Sequence, residues 1–268
     1  MTPAGATSSS LFRLDGRIAF VSGAAGHLGR AMATALAEAG AQVILNGRNE
    51  ARLRDLQGTL TAAGWSAEIA VFDIADFPRV RAFFSSLPRL DVMVNNAIDM
   101  TAAAFDAVEP DAFDATYRSA VTGPFEAVRA ARGALRSAAA QAGEASVINI
   151  ASMYGAVAPD SRIYSDARQA SPFHYGPAKA ALLQLTRHLA AELGPERIRV
   201  NALVPGPFPR PEVQAGDPAF AARLASKTML GRIGRAEEIA GPLLFLASPA
   251  SAFVTGAAIA VDGGWTAW

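Results

Sequence analysis

The chain has 268 residues, 51% of them hydrophobic, and its 24 Lys and Arg balance 24 Asp and Glu. Such a chain can bury a sizeable core, and its length suits one domain. Zero net charge speaks against a nucleic-acid partner, which needs a basic excess, and the lack of cysteine excludes disulfides, thiolate metal sites, iron–sulfur clusters and cysteine nucleophiles. His27, His174 and His188 are the only histidines and leave little for a histidine metal centre, so no metal is expected. The opening MTPAGATSSSLFRLDG has neither a basic nor an apolar leader segment, and no apolar run reaches ~18 residues. The expectation is a cytoplasmic protein without membrane contact, with residues 1–10 a loose tail before a domain over residues 11–268.

Short apolar runs alternate with helical patterns. Residues 17–21 (RIAFV) read as a buried strand bounded by Gly16 and Gly23, and 28–39 as a helix stopped by Gly40. A second strand is expected at 41–45, a helix at 50–63 ending before Gly64, a third strand at 68–72, and a helix at 76–87 with Pro78 in its first turn. Residues 90–94 form a fourth strand. A long helical pattern follows from 111 to 142, interrupted by Gly123-Pro124. The remaining strands are placed at 146–151, 197–203 and 257–261, with a long helix at 172–193 and shorter ones near 218–226 and 236–246. Phe83, Phe84, Phe245 and Leu246 occupy core positions of their helices. Alternation on this scale predicts right-handed βαβ units: a doubly wound α/β fold, Rossmann-type, with about seven parallel strands and helices on both faces. Ligands in such folds bind beyond the carboxyl ends of the strands.

The candidate site residues follow those strand ends. Ser22, Gly23, Ala25, His27, Leu28 and Gly29 form a small-residue turn entering a helix, where backbone N–H groups and the helix dipole suit a pyrophosphate. After the second strand, Asn46-Gly47-Arg48 offers a guanidinium in place of a carboxylate, which suits a 2′-phosphate and favours NADP(H) over NAD(H). Asp73-Ile74 follows the third strand. Asp73 is a candidate acceptor for an adenine amino group, or else a helix cap in competition with Asp76. Asn95-Asn96-Ala97 follows the fourth strand and leaves room for a ribose. Tyr175 and Lys179 lie four apart on one helix face, where the ammonium is expected to lower the phenol's pKa. Such a phenol suits a general acid for a carbonyl oxygen, and Ser152 is placed to bond the same oxygen.

In this order the pieces resemble the short-chain dehydrogenase/reductase family. The likeness runs from about Leu14 to Trp268, taking in Arg199-Val200-Asn201, Pro205-Gly206 and Val261-Asp262-Gly263-Gly264. It implies catalysis by Ser152, Tyr175 and Lys179, with Lys179 also holding the nicotinamide ribose, and cofactor contacts from Pro205, Gly206 and Phe208. It further implies NAD(P)(H)-dependent interconversion of a secondary alcohol and a ketone in a homotetramer or homodimer. The Asn46-Gly47-Arg48 stretch, the Pro-Gly-Pro-Phe loop and the Gly-Gly-Trp-Thr-Ala-Trp ending look most like members resembling gluconate 5-dehydrogenase, which points to a sugar acid or polyol. The alternatives are a 3-oxoacyl-thioester reductase and a cofactor-binding sensor without turnover. The sensor reading is motivated by departures from the family pattern: His27 for a glycine, Ile98 for a glycine, Ala120 for the asparagine that supports a proton-relay water, and Arg210 for a threonine.

Ser152 and Tyr175 stand 23 positions apart, long for that family. The extra material in the 153–174 stretch, around 158–173, carries Arg162, Tyr164, Asp166 and Arg168. These arginines either receive a carboxylate or phosphate of the substrate, or the loop is salt-bridged internally or meets another subunit. Trp265 and Trp268 cap either a substrate pocket or a subunit interface.

Overall fold

A computed structural model describes residues 8–166 and 170–268. Its strands are β1 (Ile18–Val21), β2 (Gln42–Gly47), β3 (Ala67–Val71), β4 (Val92–Asn95), β5 (Ala145–Ile150), β6 (Ile198–Pro205) and β7 (Ala258–Val261). They form one parallel sheet in the order β3-β2-β1-β4-β5-β6-β7. The chain winds outward from β1 to β3 and then returns to lay β4 on the other side of β1. The strand order therefore reverses at the β1/β4 pair, where Val21 is level with both Leu45 and Val94. A crevice opens at that reversal because the connections leave in opposite directions.

Successive side chains point to opposite faces of the sheet, and both faces are apolar. Val21, Leu45 and Val94 face α1 (His27–Glu38), α2 (Glu50–Ala62) and α9 (Ala240–Ala247), packing with Met32, Leu36, Leu53, Leu56, Leu243 and Leu246. Phe20, Ile44 and Met93 face the other way, toward α3 (Phe77–Ser86), α5 (Gly123–Ala142) and α6 (Tyr175–Leu193). Phe84 sits there at 4.8 Å from Phe20 and 5.2 Å from Phe83, both edge-on. The remaining helices are α4 (Pro110–Tyr117), α7 (Pro211–Gly216) and α8 (Pro218–Ser226).

Three expectations are corrected. The helical pattern at 111–142 is two helices joined by a π-helical segment, Arg118–Thr122. Pro124 has no N–H to give to the preceding turn, and its ring would crowd it, so the winding widens just before. The helix expected from residue 172 begins at Tyr175, since the Tyr175 N–H closes a turn on the Pro172 carbonyl. The pattern near 236–246 is a 3₁₀ turn, Ala236–Ile239, followed by α9. Of the tail expected at 1–10, residues 1–7 lie outside the described residues, and Ser10 already opens a 3₁₀ turn, Ser10–Phe12.

Polar residues lock the far strands. Buried Arg199 on β6 donates to Glu144, to the Ser251 hydroxyl and to the carbonyls of Leu246 and Ser248. Asn201 donates to the Val254 carbonyl at 2.9 Å and accepts from the Ala257 N–H at 3.0 Å, which sets the entry to β7. The Arg199-Val200-Asn201 run is thus scaffold for the sheet. Among the described residues, no helix is long and apolar enough to cross a membrane.

Phe84 is 1% exposed and touches two rings, those of Phe20 and Phe83. Phe84→Ala should cost about 3–5 kcal/mol by denaturant unfolding, as expected for a large core aromatic whose site cannot collapse.

Candidate active site

A cleft of about 500 Å³ opens at the carboxyl ends of β1 to β6. Its floor begins at the turn between β1 and α1. Gly23 has φ +64°, and a Cβ on Gly29 would lie 2.1 Å from the Gly23 carbonyl oxygen. Only glycine lets the first turn of α1 approach that closely. Gly26 precedes α1 without any side-chain cap, so the N–H groups at the start of the helix face the cleft unused by side chains. Ser22 stands behind this turn: its hydroxyl accepts from the N–H groups of Asn96 and Ala97, at 2.9 and 3.0 Å. The Asn96 amide in turn donates to the carbonyls of Ser22 and Gly23. The two strand ends flanking the crevice are stitched together from within.

Gly23, Ala25, His27, Leu28, Gly29, Arg48, Asp73, Ile74, Ala97, Ser152, Tyr175, Lys179, Pro205, Gly206 and Phe208 all line this one cleft. Ser22 and Asn95 do not. Asn95 is buried and donates to Asn149 at 2.9 Å, and Asn149 donates to Thr186. The Ser22 and Asn95 side chains both point into the strand-end network that supports the cleft from beneath. Asn46, Arg52, Met100, Ser119 and Arg210 also line the cleft. Arg52 was readable as a second cation one helix turn after Arg48. The Asn46 amide instead caps the carbonyls of Ala70 and Phe72, at 2.9 and 3.1 Å.

At the β2 end, Arg48 lies 3.1 Å from Asp99 and 3.6 Å from Asp73. All three side chains are well exposed, so these pairs are weak and exchangeable. Arg52 donates to the Ala25 carbonyl at 2.9 Å, placing a second guanidinium against the turn. Asp76, not Asp73, caps α3 by accepting from the Arg79 N–H. His27 carries its side chain where a glycine would leave space, and its Nε2 is buried without a partner among the described residues. Burial pushes that imidazole below its usual range and the nearby Arg210 adds to the effect, against Glu212 and Glu237. Unclaimed N–H groups, a glycine cradle, two arginines and an unpartnered ring nitrogen together fit a dinucleotide with phosphate groups along this wall.

The reacting end is built where β5 meets α6. Ser152 follows β5, and the short turn Met153–Gly155 folds straight onto α6. A Cβ on Gly155 would lie 2.9 Å from the Lys179 carbonyl carbon, and one on Gly176 would lie 2.8 Å from the Tyr154 carbonyl oxygen. This double close approach sets Ser152 and Tyr175 at the same end of the cleft. Lys179 is 3% exposed and donates to the Ile150 carbonyl at 2.6 Å.

The expected lowering of the Tyr175 pKa by Lys179 is corrected. Burial raises the phenol above its ordinary value, with the Ser152 hydrogen bond pulling the other way. Burial likewise pushes Lys179 down to about 8. Desolvation dominates at both groups because the ammonium serves a carbonyl and lies 5.8 Å from the tyrosine ring centre.

The long connection after Ser152 is tied to itself and to α8. Asp160 takes both Arg162 and Lys227, at 2.8 and 2.6 Å, and Arg223 donates to the Ile163 carbonyl at 2.6 Å. Arg162 is 82% exposed and does not reach the cleft. Among the described residues the loop is thus salt-bridged internally through Asp160. Arg168 lies outside the described residues. Tyr154 and Tyr164 share a hydrogen bond of 3.0 Å, and Trp265 stands edge-on to Tyr154 at 6.4 Å, within a small cluster with Met153, Ile163 and Leu224. Trp265 is thus buried in this cluster, while Trp268 is exposed.

A family model described as enoyl-(acyl carrier protein) reductase matches residues 23–266. The chain belongs to the short-chain dehydrogenase/reductase family. It is 35% identical over 260 residues to the rhamnolipids biosynthesis 3-oxoacyl-[acyl-carrier-protein] reductase of Pseudomonas aeruginosa, covering 95% of this chain and 98% of that one. It is also 35% identical over 263 residues to the galactitol 2-dehydrogenase (L-tagatose-forming) of Cereibacter sphaeroides, covering 97% and 98%. Among solved structures it is similar to a gluconate 5-dehydrogenase from Burkholderia cenocepacia in complex with NADP and tartrate. That match has a TM-score of 0.85 at 34% identity and covers 98% of this chain and 100% of that one. The close approach at Gly23 and Gly29 gives the fit of this wall to a dinucleotide a direct test. Gly29→Ala should weaken NADPH binding at least about tenfold, read by fluorescence titration, because the added methyl forces the turn apart.

Proposed function

We propose that this protein is an NADP(H)-preferring reductase and dehydrogenase that interconverts a ketone and a secondary alcohol on a sugar acid, a polyol or a related small hydroxy compound. The observation that carries this reading is the assembly of Ser152, Tyr175 and Lys179 at one end of the same cleft whose other end holds Arg48 and the glycine cradle. A nicotinamide cofactor, which the glycine cradle and Arg48 would hold, would supply or accept the hydride. The Tyr175 hydroxyl gives its proton to the carbonyl oxygen as reduction proceeds, and Ser152 holds that oxygen by a second hydrogen bond. The raised phenol pKa keeps the proton on Tyr175 in the reducing direction. Lys179 holds the first turns of α6 against β5 and keeps a positive charge beneath the phenol as negative charge develops on it.

The preference for NADP(H) is inferred from Arg48, with Arg52 beside it. A 2′-phosphate offers Arg48 a bidentate, doubly charged partner in exchange for two exposed carboxylates. The NADP-bound gluconate 5-dehydrogenase supports this reading, and that relative together with the galactitol dehydrogenase supports the substrate class. The second reading, a 3-oxoacyl-thioester reductase, is favoured by the likeness to the rhamnolipid-pathway enzyme.

Turnover followed at the nicotinamide absorbance, with NADPH and NADH against 5-ketogluconate, ketoses, diketones and an acetoacetyl thioester, tests both readings. Turnover of a keto-sugar or keto-acid above the thioester is the expected result; the reverse order selects the thioester reading. Tyr175→Phe should lower kcat by about 10²–10⁴-fold, the range for loss of a positioned general acid. Arg48→Ala should raise the KM for NADPH about tenfold and leave that for NADH within about twofold, in keeping with the loss of one charge-assisted pair.

A further inference from the structure

His174 directly precedes Tyr175 and is 1% exposed. Its carbonyl accepts from the Ala178 N–H at 3.2 Å and so closes the first turn of α6, which has no side-chain cap. The imidazole is held from three directions. Nδ1 is 2.9 Å from the Thr116 hydroxyl on α4, Nε2 is 3.1 Å from the Thr101 carbonyl, and the ring stands edge-on to Phe113 at 5.8 Å. Phe113 and Thr116 are three residues apart and present one face of α4 to the ring.

The network extends to the wall of the cleft. The Thr116 hydroxyl lies 2.8 Å from the Asp99 carbonyl, and the Asp99 N–H donates to the Ser119 hydroxyl at 2.9 Å. Asp99 and Ser119 both line the cleft. The Thr101 carbonyl can only accept, so the hydrogen-bond network assigns the imidazole hydrogen to Nε2. Nδ1 then accepts from Thr116, whose single hydrogen is shared with the Asp99 carbonyl. A buried imidazole with both nitrogens engaged resists rotation, because turning the ring leaves a buried polar atom unpaired.

We propose that His174 is a positioning residue: its two ring nitrogens tie the first turn of α6, and with it Tyr175, to α4 and to the segment after β4 that walls the cleft. The phenol is thereby held toward Ser152 in one orientation. The proposal rests on the reading of Tyr175 as the proton donor. It concerns the rate of the chemical step: the network meets the nucleotide end only through the backbone of Asp99, whose exposed carboxylate is the exchangeable partner of Arg48.

The test uses the full chain and two variants that preserve volume, Thr116→Val and His174→Phe, beside two that keep a hydrogen-bonding group, Thr116→Ser and His174→Asn. Steady-state kinetics with NADPH and the preferred ketone is measured with NADPH titration and thermal unfolding. Thr116→Val and His174→Phe should each lower kcat about tenfold, with the Kd for NADPH and the KM for the ketone within about twofold, as misplacement of a reacting group does. Thr116→Ser should restore kcat to within about twofold of the parent, and His174→Asn, which keeps a group near the Nδ1 position, should recover part of the loss. Parental kcat in Thr116→Val and His174→Phe, with Tyr175→Phe inactive, would overturn the proposal and leave the catalytic reading standing. Equal losses in Thr116→Ser and Thr116→Val that track a lowered unfolding temperature would also overturn it, as the mark of a purely structural contact. A parent chain that binds NADPH but reduces no ketone would overturn the catalytic reading itself, and the positioning role with it.

Discussion

The reacting end of the molecule depends on one buried ammonium. Lys179 stands near the start of α6, buried, and donates to the Ile150 carbonyl at 2.6 Å. Removing a charge from water is costly, and it persists only where geometry supplies a partner. That requirement fixes the depth at which α6 sits on β5. It also draws the Met153–Gly155 turn so close that two glycines are needed at the contact. Ser152 and Tyr175 face each other as a consequence. The same burial sets the electrostatics, lowering the lysine to about 8 and raising the phenol, so the pair is tuned by desolvation before any ligand contributes.

The two ends of the cleft meet different physical demands. The nucleotide end is backbone-made: a glycine turn with free N–H groups, held from below by Ser22 and Asn96, with mobile-charge partners in Arg48 and Arg52. Anion recognition there requires only close approach and exchangeable cations. The reacting end is side-chain-made and rigid, since a proton must pass between atoms placed to within a fraction of an ångström. The reversal of strand order at β1 and β4 joins the two ends, and the deep salt-bridged clamp of Arg199 keeps β6, and hence the Pro205 to Phe208 stretch, level with them.

Much of this was legible in the sequence because it is local. Each strand is a short apolar run bounded by glycine or polar residues, and the Gly23 to Gly29 turn and the Tyr175–Lys179 spacing are each contained within a few residues. What could not be read depends on separation or depth. The direction of the Tyr175 shift follows from burial, which no spacing records. Asp160 engages Arg162 two residues on but also Lys227, far along the chain, so the loop is tied to the end of α8 by a contact that no local pattern records. Ser22 and Asn95 sit at the right strand ends yet turn inward, because the strand termini need their hydrogen bonds. Thr116 and His174 are brought together only by the docking of α4 on α6.

The most direct test of the central claim is the single-turnover rate of NADPH oxidation in Lys179→Met beside the parent chain. Methionine fills the same space without a charge, and replacing a buried charge by an apolar group of similar volume is compatible with folding. The account predicts a folded, NADPH-binding variant whose rate falls at least about 10²-fold, as loss of electrostatic support for the reacting group requires. A rate within about twofold of the parent, with the fold intact, would contradict it, because neither the placement nor the charge of Lys179 would then matter to the reaction.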